Sequence, residues 1–69
     1  MQLKLLQVWP DSGGNNCPAF YQAENGDFVV QGWQLDADTT ANLQNLASDE
    51  SAVRIPASLV AAIVAAQGN

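Results

Sequence analysis

The four residues Glu24-Asn25-Gly26-Asp27 constrain this chain more than any others. Asn-Gly flanked by apolar runs is the strongest short-range hairpin signal, because both central residues tolerate positive φ. The flanking segments Ala19–Ala23 and Asp27–Trp33 are therefore expected to pair as antiparallel strands. A two-residue Asn25-Gly26 loop predicts the register: Ala23 opposite Phe28, Gln22 opposite Val29, Tyr21 opposite Val30 and Phe20 opposite Gln31. That register puts Ala19, Tyr21, Ala23, Phe28, Val30 and Gly32 on a core face. The other face would hold Phe20, Gln22, Val29, Gln31 and Trp33, with Glu24 and Asp27 at the turn.

The rest of the chain adds elements on either side. Leu3–Trp9 reads as a strand closed by Pro10, and Asp11–Asn16 as a glycine- and asparagine-rich loop. Asp36 or Asp38 can cap a short helix on which Leu43, Leu46 and Ala47 would share one side. Ser48–Ser51 reads as a solvated loop. Ala52–Ile55 reads as a short strand, because a residue before proline avoids helical angles. The final helix has Pro56 at its first position, an apolar stripe of Leu59, Val60, Ile63 and Val64, and Gly68 as its C-cap. The predicted architecture is α+β: one domain over residues 1–69, with an antiparallel sheet of three or four strands and the C-terminal helix packed on one face.

Composition decides which functions such a fold can carry. The chain has no histidine, one cysteine, two cations (Lys4 and Arg54) and seven carboxylates, for a net charge of −5. Proton transfer near neutral pH and metal binding through nitrogen and sulfur have almost nothing to work with. No catalytic residue, cofactor or metal site is predicted, and an enzyme is the least expected class. Two isolated cations make no basic stripe, so direct nucleic-acid binding is not expected, nor is attachment to anionic membranes. The longest apolar run, Leu59–Ala66, is too short to span a bilayer. The start Met1-Gln-Leu-Lys4 lacks a charged region followed by a long apolar run, so no signal peptide is predicted. With a single cysteine and no internal disulfide, the expected compartment is the cytoplasm.

Motifs with a chemical meaning fail on their context. Asp36-Ala37-Asp38-Thr39-Thr40 spells the D-x-D-x-T of haloacid-dehalogenase-type phosphatases, but no lysine follows Lys4 and the chain is too short for that sheet. Read as a calcium loop from Asp36, the same segment has Ala41 at the glycine position and Ala47 at the bidentate-glutamate position. Gly13-Gly14-Asn15-Asn16 is followed by Pro18 and no lysine-bearing helix, so it is no phosphate loop. Cys17 has no cationic neighbour or histidine to activate it and is expected to be a buried, inert thiol.

What remains is surface. Phe20, Val29 and Trp33 form one candidate interface group, since aromatic residues are enriched in interface cores. The helix side containing Ala57, Ala61 and Ala65 is the other, because no charge lies between Arg54 and the C-terminus. Glu24, Asp27, Asp36 and Asp38 would steer a basic partner. Three readings follow: a protein-binding module for a basic partner, a self-assembling structural or phage-type protein (a homodimer in its simplest form), and a binder of a small apolar ligand between sheet and helix.

Trp9-Pro-Asp-Ser12, the Asn16-Cys17 pair, the hairpin, the strand at Val30 and the closing Pro56 helix fall in an order that resembles DUF397. This is a family of small actinobacterial domains of unknown function. The likeness spans Val8 to Ala65; the alternative is that the chain resembles a sister group of small hypothetical proteins with a C-P…Y…G-x-x-V-V-Q-G-W pattern. Gln31-Gly32-Trp33 replaces the family's Arg-Asp-Ser, and the Asp36–Ser51 segment is longer. The resemblance implies a regulatory partner encoded beside a helix-turn-helix DNA-binding protein, in an antitoxin-like or developmental switch.

Overall fold

A computed structural model describes residues 1–15 and 17–67. Asn16 and the expected C-cap Gly68 lie outside the described residues. The elements run β1 (Leu3–Val8), β2 (Ala19–Ala23), β3 (Phe28–Gln31), β4 (Trp33–Gln34), α1 (Ala37–Ala41), β5 (Val53–Arg54) and α2 (Ala57–Gln67). The fold is α+β. An antiparallel sheet has the order β1-β2-β3, a separate antiparallel ribbon joins β4 to β5, and α2 packs against β1.

The β2–β3 register departs from expectation by one residue. Phe20 faces Val30, Tyr21 faces Val29 and Gln22 faces Phe28. The connection is not a two-residue loop. Ala23 and Asp27 close it, with Gly26 N donating to Ala23 O at 2.9 Å and Ala23 N to Asp27 O at 2.7 Å. Gly26 has φ +95° while Asn25 stays at negative φ. This is the three-residue loop in which a single left-handed glycine makes a bulge. Asn25 contributes through its side chain, its Oδ1 accepting from Asp27 N at 3.0 Å.

A one-residue slip exchanges the faces of one strand relative to its neighbour. One face now carries Ala19, Tyr21 and Ala23 of β2 with Val29 and Gln31 of β3. Tyr21 Oη donates to Gln31 Oε1 at 2.6 Å. The other carries Phe20, Gln22, Phe28 and Val30, and the Phe20 and Phe28 rings stack with centroids 5.3 Å apart. In β1, Leu3, Leu5 and Val8 lie opposite Ala23, Tyr21 and Ala19, with a bulge at Leu6.

The expected strand Asp27–Trp33 is interrupted at Gly32. A Cβ there would sit 2.5 Å from Arg54 O and 2.8 Å from Ile55 Cγ2, so β5 approaches the backbone too closely for any side chain. The chain leaves the sheet at this point and pairs with β5 instead. The short helix also differs: it ends at Ala41, and Leu43 and Leu46 lie outside it and exposed. Consecutive Thr39-Thr40 and the asparagines at 42 and 45 favour turns over helix, and Asn45 adopts φ +57°.

In α2, Pro56 O accepts from Leu59 N and Val60 N, so the proline is the N-cap, and Ala57 instead of the expected Pro56 is the first helical residue. Leu59 is fully buried, Ala62 and Ile63 are half-buried, and Val60 and Val64 point to solvent. The expected stripe of four apolar residues is therefore split between the inner and outer sides. Among the described residues the buried apolar side chains are few: Pro18, Ala19, Ala23 and Leu59.

Candidate interaction surfaces

Three places gather the residues with chemical or contact potential, and they differ in how far their side chains are already occupied.

The first is a junction at the end of the sheet. Trp9 and Trp33 meet edge to face, with centroids 5.5 Å apart and planes at 89°. The Arg54 guanidinium lies 4.7 Å from the Trp33 ring centroid. Trp9 Nε1 donates to Ser58 Oγ at 2.7 Å, which ties the end of β1 to the first turn of α2. Trp33 is half-buried and engaged by both neighbours. The one-face group of Phe20, Val29 and Trp33 is consequently dispersed: Phe20 is on the phenylalanine face, Val29 on the alanine face and Trp33 in the ribbon.

The second is the phenylalanine face. Phe28 is 55% exposed and Val30 38% exposed, beside half-buried Phe20. Glu24 and Asp27 bracket the turn that leads into Phe28. Glu24 Oε1 accepts from Gln2 N at 2.9 Å, and Asp27 Oδ2 accepts from Asn25 Nδ2 at 3.2 Å. Both carboxylates stay solvent-exposed. Phe28 and Val30 escaped the sequence reading because the expected register turned them inward. The signal that would have found them is the alternative loop open to Glu24-Asn25-Gly26, with positive φ at the glycine alone.

The third is the outer side of α2, where Ala57, Val60, Ala61, Val64 and Ala65 are all exposed. Val60 and Val64 were missed because the helix is apolar on every side, leaving no polar face to orient it.

Asp36 and Asp38 sit at the start of α1. Asp36 is its N-cap, its Oδ1 accepting from Thr39 N at 2.8 Å. The hydrogen bonds from Thr39 hold its carboxyl below the usual aspartate range, and Arg54 adds a smaller effect in the same direction. The capping role accounts for Asp36 without any phosphoryl chemistry. Asp38 is the acidic residue of the first turn. Cys17 is half-buried and free, where a buried thiol was expected. Among the described residues, no three His, Cys, Asp or Glu side chains converge to hold a metal, and no helix is long and apolar enough to cross a membrane.

A ligand between sheet and helix is one expectation; two hollows among the described residues lie elsewhere. One, of about 280 Å³, lies along Gln2–Lys4 and Gln22–Glu24. The other, of about 230 Å³, is lined by Leu35, Leu43 and Leu46 near Glu50. Both are below the usual size of a small-molecule site, about 300 Å³ or more.

None of the protein-family models, curated proteins or solved structures compared with the chain matches it.

Proposed function

We propose that the chain is a non-catalytic protein-binding regulatory module that docks a basic protein on the phenylalanine face of its sheet. One observation carries this reading: Phe28, stacked on Phe20 and more than half exposed, stands next to the acidic turn of Glu24 and Asp27. An aromatic anchor supplies contact area, and adjacent carboxylates speed encounter with a positively charged surface. The net charge of −5 acts in the same direction over longer range. The resemblance to DUF397 supports a helix-turn-helix regulator as the basic partner, and the single free cysteine suits a reducing cytoplasm.

The test is recovery of partners from host cells on the immobilised chain at low and high salt, using wild type, Phe28→Ser, and the double variant Glu24→Gln/Asp27→Asn. The reading expects a basic protein held by the wild type, lost with Phe28→Ser, and weakened by the double variant chiefly at low salt. An identical set of retained proteins for all three forms would refute it.

A further inference from the structure

A molecule of 7.3 kDa folded as a compact monomer exposes about 4,200 Å². This chain exposes 5207 Å², an excess of about 1,000 Å² over that expectation. Its radius of gyration is 13.3 Å, against about 11 Å for a compact chain of this length. The excess is close to what each partner loses in a standard dimer, about 800 Å². The surface in need of cover is thus the size of one interface.

The outer side of α2 is where that cover fits a second copy. Val60 is 45% exposed and Val64 61% exposed, and both stand among Ala57, Ala61 and Ala65. The 57, 60/61, 64 spacing makes a continuous seam along the helix, with large and small residues alternating across it. No ionisable side chain occurs from Ile55 to the end of α2. Charge then chooses the occupant. Two copies carrying −5 each repel wherever their carboxylates meet, and this helix is a surface without any. A basic partner finds no carboxylate here to pair with, whereas it does beside Phe28.

We propose that the outer face of α2 is the two-fold interface of a homodimer of this chain. The helices cross antiparallel with the axis beside Ala61, so that Val60 and Val64 of one copy pack over the alanines of the other. This interface uses a different surface from the proposed docking face and stands or falls independently of it.

Sedimentation equilibrium over a wide concentration range tests it. The expected mass is twice that of the 7.3 kDa chain. Ala61→Glu, which places two unpaired carboxylates at the axis, should weaken association about 100-fold or more, while Val30→Glu on the sheet leaves it intact. Because Ala61→Glu could also affect folding, a second measurement uses Ala61→Cys in a Cys17→Ser background. Mild oxidation should link it to itself in high yield, whereas Asp49→Cys in the same background should not link. A single-chain mass at every concentration, a dimer that survives Ala61→Glu with α2 folded, or equal linking of the two cysteine variants would each overturn the proposal. A chain that is monomeric alone and forms only a one-to-one complex with a basic protein would overturn it as well.

Discussion

The tryptophan junction and the phenylalanine face contain similar residues and use them in opposite ways. At the junction, Trp33 has an aromatic edge on one side and a guanidinium nearby, and Trp9 spends its N–H on Ser58. Those contacts bring together the end of β1, the β4–β5 ribbon and the first turn of α2. On the phenylalanine face, Phe28 stacks on a ring of its own sheet and leaves more than half of its surface exposed. Aromatic residues at the junction are consumed by cohesion, and those on the sheet are left over for contact. With only Pro18, two alanines and one leucine fully buried among the described residues, the leftover surface is large for so small a chain.

Substitutions break or sharpen this contrast in a definite order. Leu59→Ala should have the largest effect, about 2–5 kcal/mol, because it empties the largest fully buried apolar side chain among the described residues. Urea unfolding followed by circular dichroism measures it; a cost under about 1 kcal/mol would mean that the cohesion lies elsewhere. Gly32→Ala comes next, at about 1–3 kcal/mol, because its Cβ would collide with the Arg54 carbonyl, a backbone atom that cannot step aside. Equal stability of this variant and the wild type would contradict the close approach of β5.

Phe28→Ala should cost about 1–2 kcal/mol, for one aromatic stack and the covered part of the ring, while weakening capture of a basic partner by more than tenfold. A large stability loss with unchanged binding would place Phe28 with the junction instead. Asp36→Ala should have the smallest effect and a distinctive pH signature. The Asp36 carboxyl titrates below its unfolded value, so its contribution is present above about pH 4 and is lost as pH falls through the folded value. Wild type and variant should therefore differ in thermal midpoint at neutral pH and converge in acid. A difference that grows on acidification would reverse the sign and remove the capping role.

The contrast was only partly legible in the sequence. β1 and β2 were readable because Pro10 and the glycine-asparagine loop bound them, and the Asp36 cap because its partner is three residues away. The register was not, since Asn25-Gly26 serves both a two-residue turn and a three-residue loop, and the choice moves every side chain of β3. The break at Gly32 depends on residues 54 and 55, far along the chain, so no local pattern announces it. The two sides of α2 could not be told apart because both are apolar, and only packing sends Leu59 inward and Val64 out. Phe28 and Val64 were misplaced for these two reasons, and both now mark proposed contact surfaces.

The most direct test is to follow individual proton resonances of the chain as the basic partner it captures is titrated in. The two indole N–H signals, from Trp9 and Trp33, report on the junction, and the ring protons of Phe28 and amides of Val30 and Asp27 report on the sheet. The account predicts that the sheet signals shift in proportion to occupancy while both indole signals stay in place. Movement of the Trp33 indole with Phe28 unmoved would contradict it.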